Sequence, residues 1–314
     1  MPVTIPLPQR AHFPLLGIPL EVRSNSPAVI TAAERAFRHW RSLAPEQIAS
    51  GALLRLDLLL QPGEQADTAG SSFVRRGQGM TMLAAGGSNL LLAQLDRGEA
   101  LGFVTPELFA DELNFRADVL EWLAFQLVST HDRVALPAGA VVQQERAVLL
   151  VALDQYELPL LQYACLRAGL RFLAAEQVYL GQESGLRLWG SHPRLALPSV
   201  AQQIFPDLAA QTLPVTRNGE TRLVLDIAAA EAQHLALSAG HAAVCLVQPH
   251  PGLSSILEPV DPAAVVNQLV QRAAGTAFYQ EIREVAVALA QAGAYRLYAG
   301  GDLSGAAALV RSLV

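Results

Sequence analysis

Residues 146–180 read RAVLLVALDQYELPLLQYACLRAGLRFLAAEQVYL, and the fold turns on how this stretch is parsed. The short apolar run Ala147–Ala152 predicts a buried strand. Pro159 opens a helix, where a missing N–H is harmless, and the spacing carries that helix over about Pro159–Ala168. Gly169 supplies the left-handed residue that ends it, and a second strand follows. Strand, loop, helix and strand form the setting of a phosphate-binding loop, G-x-x-x-x-G-K-[ST]. Its glycines let backbone N–H groups close on phosphate, its lysine reaches the β/γ-phosphates, and its hydroxyl serves Mg²⁺. Laid over that pattern, this chain offers Ala152, Glu157, Leu158 and Pro159, so every diagnostic position differs.

Nothing nearby makes up the loss. No glycine lies between Ala140 and Ala168, and all 22 basic side chains of the 314-residue chain are arginine. A compositional bias of the genome accounts for missing lysine but not for missing glycines. Asp154 and Glu157 place negative charge where a triphosphate would sit. Tyr156 and Leu158-Pro159-Leu160 add bulk, which reads as a filled or capped site.

The framework around the loop resembles the HPr kinase/phosphorylase family and its looser relatives, whose fold is phosphoenolpyruvate carboxykinase-like. In those relatives a stretch like L-H-A-A-A-V precedes a strand such as G-R-A-V-L-L-V-G. A phosphate loop, a helix ending R-G and a block R-L-L-S-D-D-x-V-Y-L then follow. Here Leu136–Val141 takes the first place and Arg146–Ala152 the second. Arg167-Ala168-Gly169 closes the helix, and Arg171–Leu180 matches the last block. The resemblance places the family's histidine at Pro137, its lysine at Leu158, its Ser/Thr at Pro159 and its paired aspartates at Ala175 and Glu176. It implies an α/β protein: a mixed-sheet, phosphoenolpyruvate carboxykinase-like core over residues 131–314, behind a smaller N-terminal α+β domain over 1–130. It also implies a divergent member with a degenerate phosphate loop. No catalytic residue, cofactor or metal ligand is expected at Pro137, Ala152, Asp154, Tyr156, Glu157, Leu158, Pro159, Ala175 or Glu176. A non-catalytic, pseudokinase-like protein that works by touching another protein is the leading expectation. An active kinase with a rewired site, in which Arg167 or Arg171 replaces the lysine and Glu176 holds the metal, is the alternative. A small-molecule binding module with a cavity near Tyr156 is a third. Homo-oligomers are implied only by family analogy.

Composition bounds the partners. Apolar residues make up 52% of the chain and charged residues 16%, which suits packed globular domains. Net charge is −6, and Arg75-Arg76 is the sole basic doublet, which argues against a nucleic-acid surface. Apolar runs stop far short of a membrane span, and the N-terminus lacks a signal-peptide pattern, so a cytoplasmic protein with no membrane partner is expected. Cys165 and Cys245 read as buried thiols. The seven histidines show no metal-binding spacing.

Along the rest of the chain, Leu15–Val22 reads as an edge strand and Ser24–Pro27 as the start of a helix over Ala28–Arg41. Leu53–Leu60, Ser72–Arg76, Met80–Ala85, Asn89–Leu95 and Glu99–Val104 read as strands. Thr105-Pro106-Glu107 opens a helical region that continues through Glu112–Thr130. Beyond residue 180 come strands at 186–190 and 195–198, a helix at 201–208, a hairpin around Asn218-Gly219 and strands at 243–248 and 255–259. Helices over 261–273, 278–292 and 303–314 and a strand at 295–298 complete the series. Weaker candidates for chemistry are His192-Pro193-Arg194, Gly86-Gly87-Ser88 and His131-Asp132, which read respectively as a turn, a turn and an isolated pair without a G-x-S-x-G partner.

Overall fold

The computed structural model describes residues 6–61, 73–77, 79–85, 89–129, 131, 133–153, 157–181, 186–217, 219–230, 232–273 and 279–314. They fall into two compact units, Met1–Arg133 and Val134–Val314.

The first unit is built on a seven-stranded mixed sheet of order β1-β2-β3-β7-β6-β5-β4. Its strands are β1 (Gln9–Leu15), β2 (Ile18–Ser24), β3 (Leu54–Leu60), β4 (Phe73–Gly77), β5 (Met80–Ala85), β6 (Asn89–Gln94) and β7 (Glu99–Val104). The expected single strand over 15–22 is instead a hairpin. Leu16 and Gly17 both take positive φ (49° and 77°), so the chain reverses there and β1 pairs antiparallel with β2. Helix α1 (Pro27–Phe37) buries Val29, Ala33 and Phe37. The expected helical region from Thr105 through Thr130 is broken into α2 (Pro106–Ala110), α3 (Glu112–Phe115), a π-helical segment over Arg116–Glu121 and α4 (Trp122–Val128). Gly102 of β7 leaves room for Leu58 and Leu91, since an added Cβ would strike Leu58 Cδ2 and lie 3.0 Å from Leu91 Cδ2, with Leu123 of α4 in ordinary contact at 3.8 Å.

The second unit has a six-stranded mixed sheet of order β11-β9-β10-β18-β20-β19 at its centre. It comprises β9 (Gly139–Gln143), β10 (Arg146–Ala152), β11 (Arg171–Ala174), β18 (His241–Pro249), β19 (Ile256–Pro259) and β20 (Ala294–Ala299). Three adjacent strands, β10, β18 and β20, run parallel. Alternation along β10 sends its side chains to opposite faces. Ala147, Leu149 and Val151 meet α8 (Pro262–Arg272), α9 (Tyr279–Ala292) and a four-stranded sheet. That sheet has the order β17-β13-β12-β8, from β8 (Val134–Leu136), β12 (Val178–Gly181), β13 (Arg187–Trp189) and β17 (Ser238–Ala239). Val148 and Leu150 meet α5 (Leu158–Arg167) and α10 (Leu303–Arg311) on the other face. Burial on both faces explains why β10 reads as an unbroken apolar run.

Helix α5 is itself covered twice. Leu161, Ala164 and Cys165 face the central sheet. Tyr163 and Leu166 face a three-stranded sheet of β14 (Arg194–Pro198), β16 (Glu220–Asp226) and β15 (Thr212–Arg217). Both sides being buried accounts for a helix whose sequence is apolar nearly all round. Its end has the geometry expected of Gly169, which sits at φ 88°. Leu170 N–H donates to Cys165 C=O (3.1 Å) and Gly169 N–H to Leu166 C=O (2.9 Å), the paired bonds of a Schellman motif. The expected single strand after it divides. The chain bends at Ala175 and Glu176, so β11 joins the central sheet and β12 the four-stranded one. Short helices α6 (Ala201–Ile204) and α7 (Ile227–Ala230) complete the unit's connections. Asp261 caps α8 by accepting from Ala263 N–H (2.9 Å).

Candidate functional site

Strand β9 is antiparallel to both β10 and β11, so the start of β9 and the ends of β10 and β11 lie on one edge of the central sheet. That edge collects the positions singled out from the sequence: Pro137 ahead of β9, Ala152 at the end of β10, Glu157, Leu158 and Pro159 at the start of α5, and Ala175 and Glu176 after β11. It is also a topological switch. From β10 the chain passes to α5 on one face, and from the adjacent β18 it passes through β19 to α8 and α9 on the other. In open parallel sheets, ligands enter at such a point. Asp154 and Tyr156 lie outside the described residues, as do Gly86, Gly87, Ser88 and Asp132.

The described groups at this edge are engaged with one another. Glu157 is the residue preceding α5, and its carboxylate accepts from Arg222 of β16, Nη1 at 2.9 Å and Nη2 at 3.4 Å. Arg222 also holds Glu220 at 2.7 Å through Nε. The hydrogen bond it donates to Glu157, with the charge of both carboxylates, pushes the Arg222 guanidinium above its ordinary pKa. Arg272 at the end of α8 donates to the Ala152 carbonyl. Pro159 has no N–H to offer, and Leu158 packs into the core beneath the helix. A helix N-terminus attracts anions, and here the protein's own carboxylate stands beside it. A phosphate in that place would meet Glu157 and would have to draw Arg222 from two carboxylates.

The far side of the edge is held by Gln162. This fully buried residue of α5 donates through Nε2 to the carbonyls of Ala174 (2.8 Å) and Ala175 (3.1 Å). Gly139 permits that approach, because an added Cβ would strike Gln162 Nε2 and lie 2.7 Å from the Ala175 oxygen. Ala175 is half-buried and Glu176 is exposed. The two arginines named from the sequence as lysine substitutes are elsewhere. Arg167 ends α5, about 15 Å along the helix from its start by the usual rise, and pairs with Asp207. Arg171 begins β11, at the opposite edge, and donates to the Gln144 carbonyl (2.6 Å). His192 and Arg194 flank Pro193, whose carbonyl accepts from Ile227 N–H at 2.8 Å, so that cluster belongs to the three-stranded sheet.

Sequence reasoning missed Arg222 and Arg272, which no local motif marks. It also missed a polar row where β18 and β20 end. The Arg296 guanidinium lies 5.9 Å from the Tyr298 ring centroid, and the His250 ring lies 6.4 Å from Tyr298. The two-residue spacing of Arg296 and Tyr298 along one strand was the available signal, and nothing local tied His250 to them. Among the described residues no group of three His, Cys, Asp or Glu is placed to hold a metal, and no helix is long and apolar enough to cross a membrane. Cys165 and Cys245 are both buried in the core under α5, and burial pushes each thiol up to about 12.

No family model matches the chain, and no curated protein matches it. Among solved structures, it shows a distant likeness to the Hpr(Ser) kinase/phosphatase from Coxiella burnetii. The identity is 14%, over 40% of this chain and 72% of that one, with a TM-score of 0.23. A likeness that loose fixes neither the fold nor the site.

Proposed function

We propose that this chain is a non-catalytic relative of the HPr kinase/phosphorylase group, with a phosphoenolpyruvate carboxykinase-like core, that acts in the cytoplasm by contact with another protein. The framework residues of 136–180 support the kinship. The observation that carries the loss of catalysis is the Glu157–Arg222 pair at the start of α5, beside a proline where the hydroxyl residue would stand. Phosphoryl transfer depends on positioning and on neutralising the transferred charge. This edge supplies a carboxylate at the second glycine position and an apolar Leu158 at the lysine position. Isothermal titration with Mg-ATP is the test: no heat of binding is expected up to millimolar nucleotide, and micromolar affinity overturns the reading.

A second reading rests on the two arginines that do reach the edge, Arg222 and Arg272. An atypical phosphotransferase would free Arg222 from Glu157 and clamp phosphate with its fork. Glu157→Gln releases that arginine. ATP binding that appears only in this variant would favour the rewired enzyme over the pseudoenzyme.

A further inference from the structure

The opposite edge of the central sheet carries a depression of about 360 Å³, where β10 and β18 begin. Arg146 and His241 are directly paired in the parallel register, so their side chains leave the same face of the sheet. Tyr295 is paired with Cys245, an even number of residues along from His241, and therefore shares that face. Its ring folds back toward the depression: a Cβ added to Gly293 would lie 3.1 Å from Tyr295 Cε2 and 3.2 Å from the Ala243 methyl. The floor and walls are Ala243, Ala292 and Leu313, small or apolar groups that leave the space open. Arg146 and His241 are exposed, and among the described residues neither side chain makes a hydrogen bond or ion pair, nor does the Tyr295 hydroxyl.

Three unengaged polar groups thus converge on one apolar-floored hollow, in a protein whose net charge is −6. A guanidinium fork presents two parallel N–H donors to a carboxylate, and an imidazole and a phenol beside it add further donors. The volume suits a small organic ligand. We infer that this hollow binds a small organic carboxylate, its carboxyl on Arg146 and His241 and its apolar body over Ala243 beneath the Tyr295 ring. The site is separate from the phosphate-loop edge, and it stands or falls independently of the pseudoenzyme reading.

Benzoate is a suitable probe, followed by amide chemical shifts in a ¹H–¹⁵N titration of the whole chain, with inorganic phosphate in a parallel titration. Saturable shifts confined to the strand starts around residues 146 and 241–243 and to residues 292–295 are expected. Arg146→Gln should weaken benzoate at least tenfold, and Ala292→Phe, at an exposed position, should block it by bulk while leaving Arg146 in place. Unchanged melting temperatures would show that both variants fold. No saturable shift up to 50 mM benzoate overturns the inference, as does wild-type affinity in Arg146→Gln. Phosphate binding as tightly as benzoate would also overturn it, since the apolar floor would then contribute nothing.

Discussion

Arg222 and Glu157 are 65 residues apart in the chain, yet the guanidinium meets both carboxylate oxygens at 2.9 and 3.4 Å. The contact exists because the three-stranded sheet carrying β16 lies over α5, and it joins that layer to the start of the helix. The Glu157 side chain is 45% exposed and that of Arg222 29%, so solvent screens the attraction. A double-mutant cycle with Arg222→Ala and Glu157→Gln should therefore give a coupling of only about 0.2–1 kcal/mol in urea unfolding. A coupling above roughly 2 kcal/mol would mean that the pair is more desolvated than its exposure indicates.

Gln162 is the opposite case, a polar side chain with no solvent exposure that satisfies two backbone carbonyls. Gln162→Leu keeps the volume but strands both acceptors, and a loss of about 2–3 kcal/mol is expected. Gly139→Ala attacks the same contact from the other strand, pushing a methyl into Gln162 and the Ala175 carbonyl. It should cost roughly 1–3 kcal/mol by overpacking. Because the two residues touch, the double variant Gly139→Ala/Gln162→Ala should cost less than the sum of its single changes. Strict additivity in urea midpoints would contradict the packing.

How far these features are visible in the sequence depends on whether their cause is local. Pro159 and Gly169 bracket α5 because fixed φ at one end and positive φ at the other are properties of single residues. The reversal at Leu16-Gly17 was hidden because two buried leucines precede the only turn residue, and their burial is settled by the sheet they join. The division of 171–180 between two sheets was equally silent. Strand propensity in RFLAAEQVYL does not say which neighbour each half will pair with. At the candidate site, the missing glycines and lysine are legible by inspection. Their replacement by a Glu157–Arg222 clasp is not, since no window of sequence contains both residues.

In the first unit, Arg133 is buried and donates through Nε (3.1 Å) and Nη2 (2.9 Å) to the carbonyl of Leu16. Leu16 is the non-glycine residue at φ 49°, so this fork helps hold a turn that a leucine adopts reluctantly. Arg133→Met fills similar volume but leaves that carbonyl without its donors. Destabilisation by about 2–3 kcal/mol is expected. Hydrogen exchange should show the loss first in β1 and β2, and uniform loss across the unit would argue against a local clamp.

The buried thiols set the alkaline limit of stability. Burial pushes Cys165 and Cys245 up to about 12, well above the ordinary thiol range. Their folded pKa is raised, so the folded chain holds these protons where the unfolded chain releases them. The contribution is fully present well below pH 9 and is lost progressively as pH rises through 9 toward 12, at up to about 1.4 kcal/mol per pH unit for each thiol. With no lysine in the chain, tyrosines and these two thiols are the side chains that titrate in that window. Tyr179, also raised by burial, steepens the fall above pH 10. Urea midpoints at pH 7.5, 9 and 10.5 should decline several-fold more steeply over the upper interval than over the lower, and Cys245→Ala should show a shallower decline than wild type. Native protein at pH 8 should resist a thiol reagent until it unfolds. Rapid native labelling of both cysteines, or identical pH slopes in the two proteins, would refute this assignment.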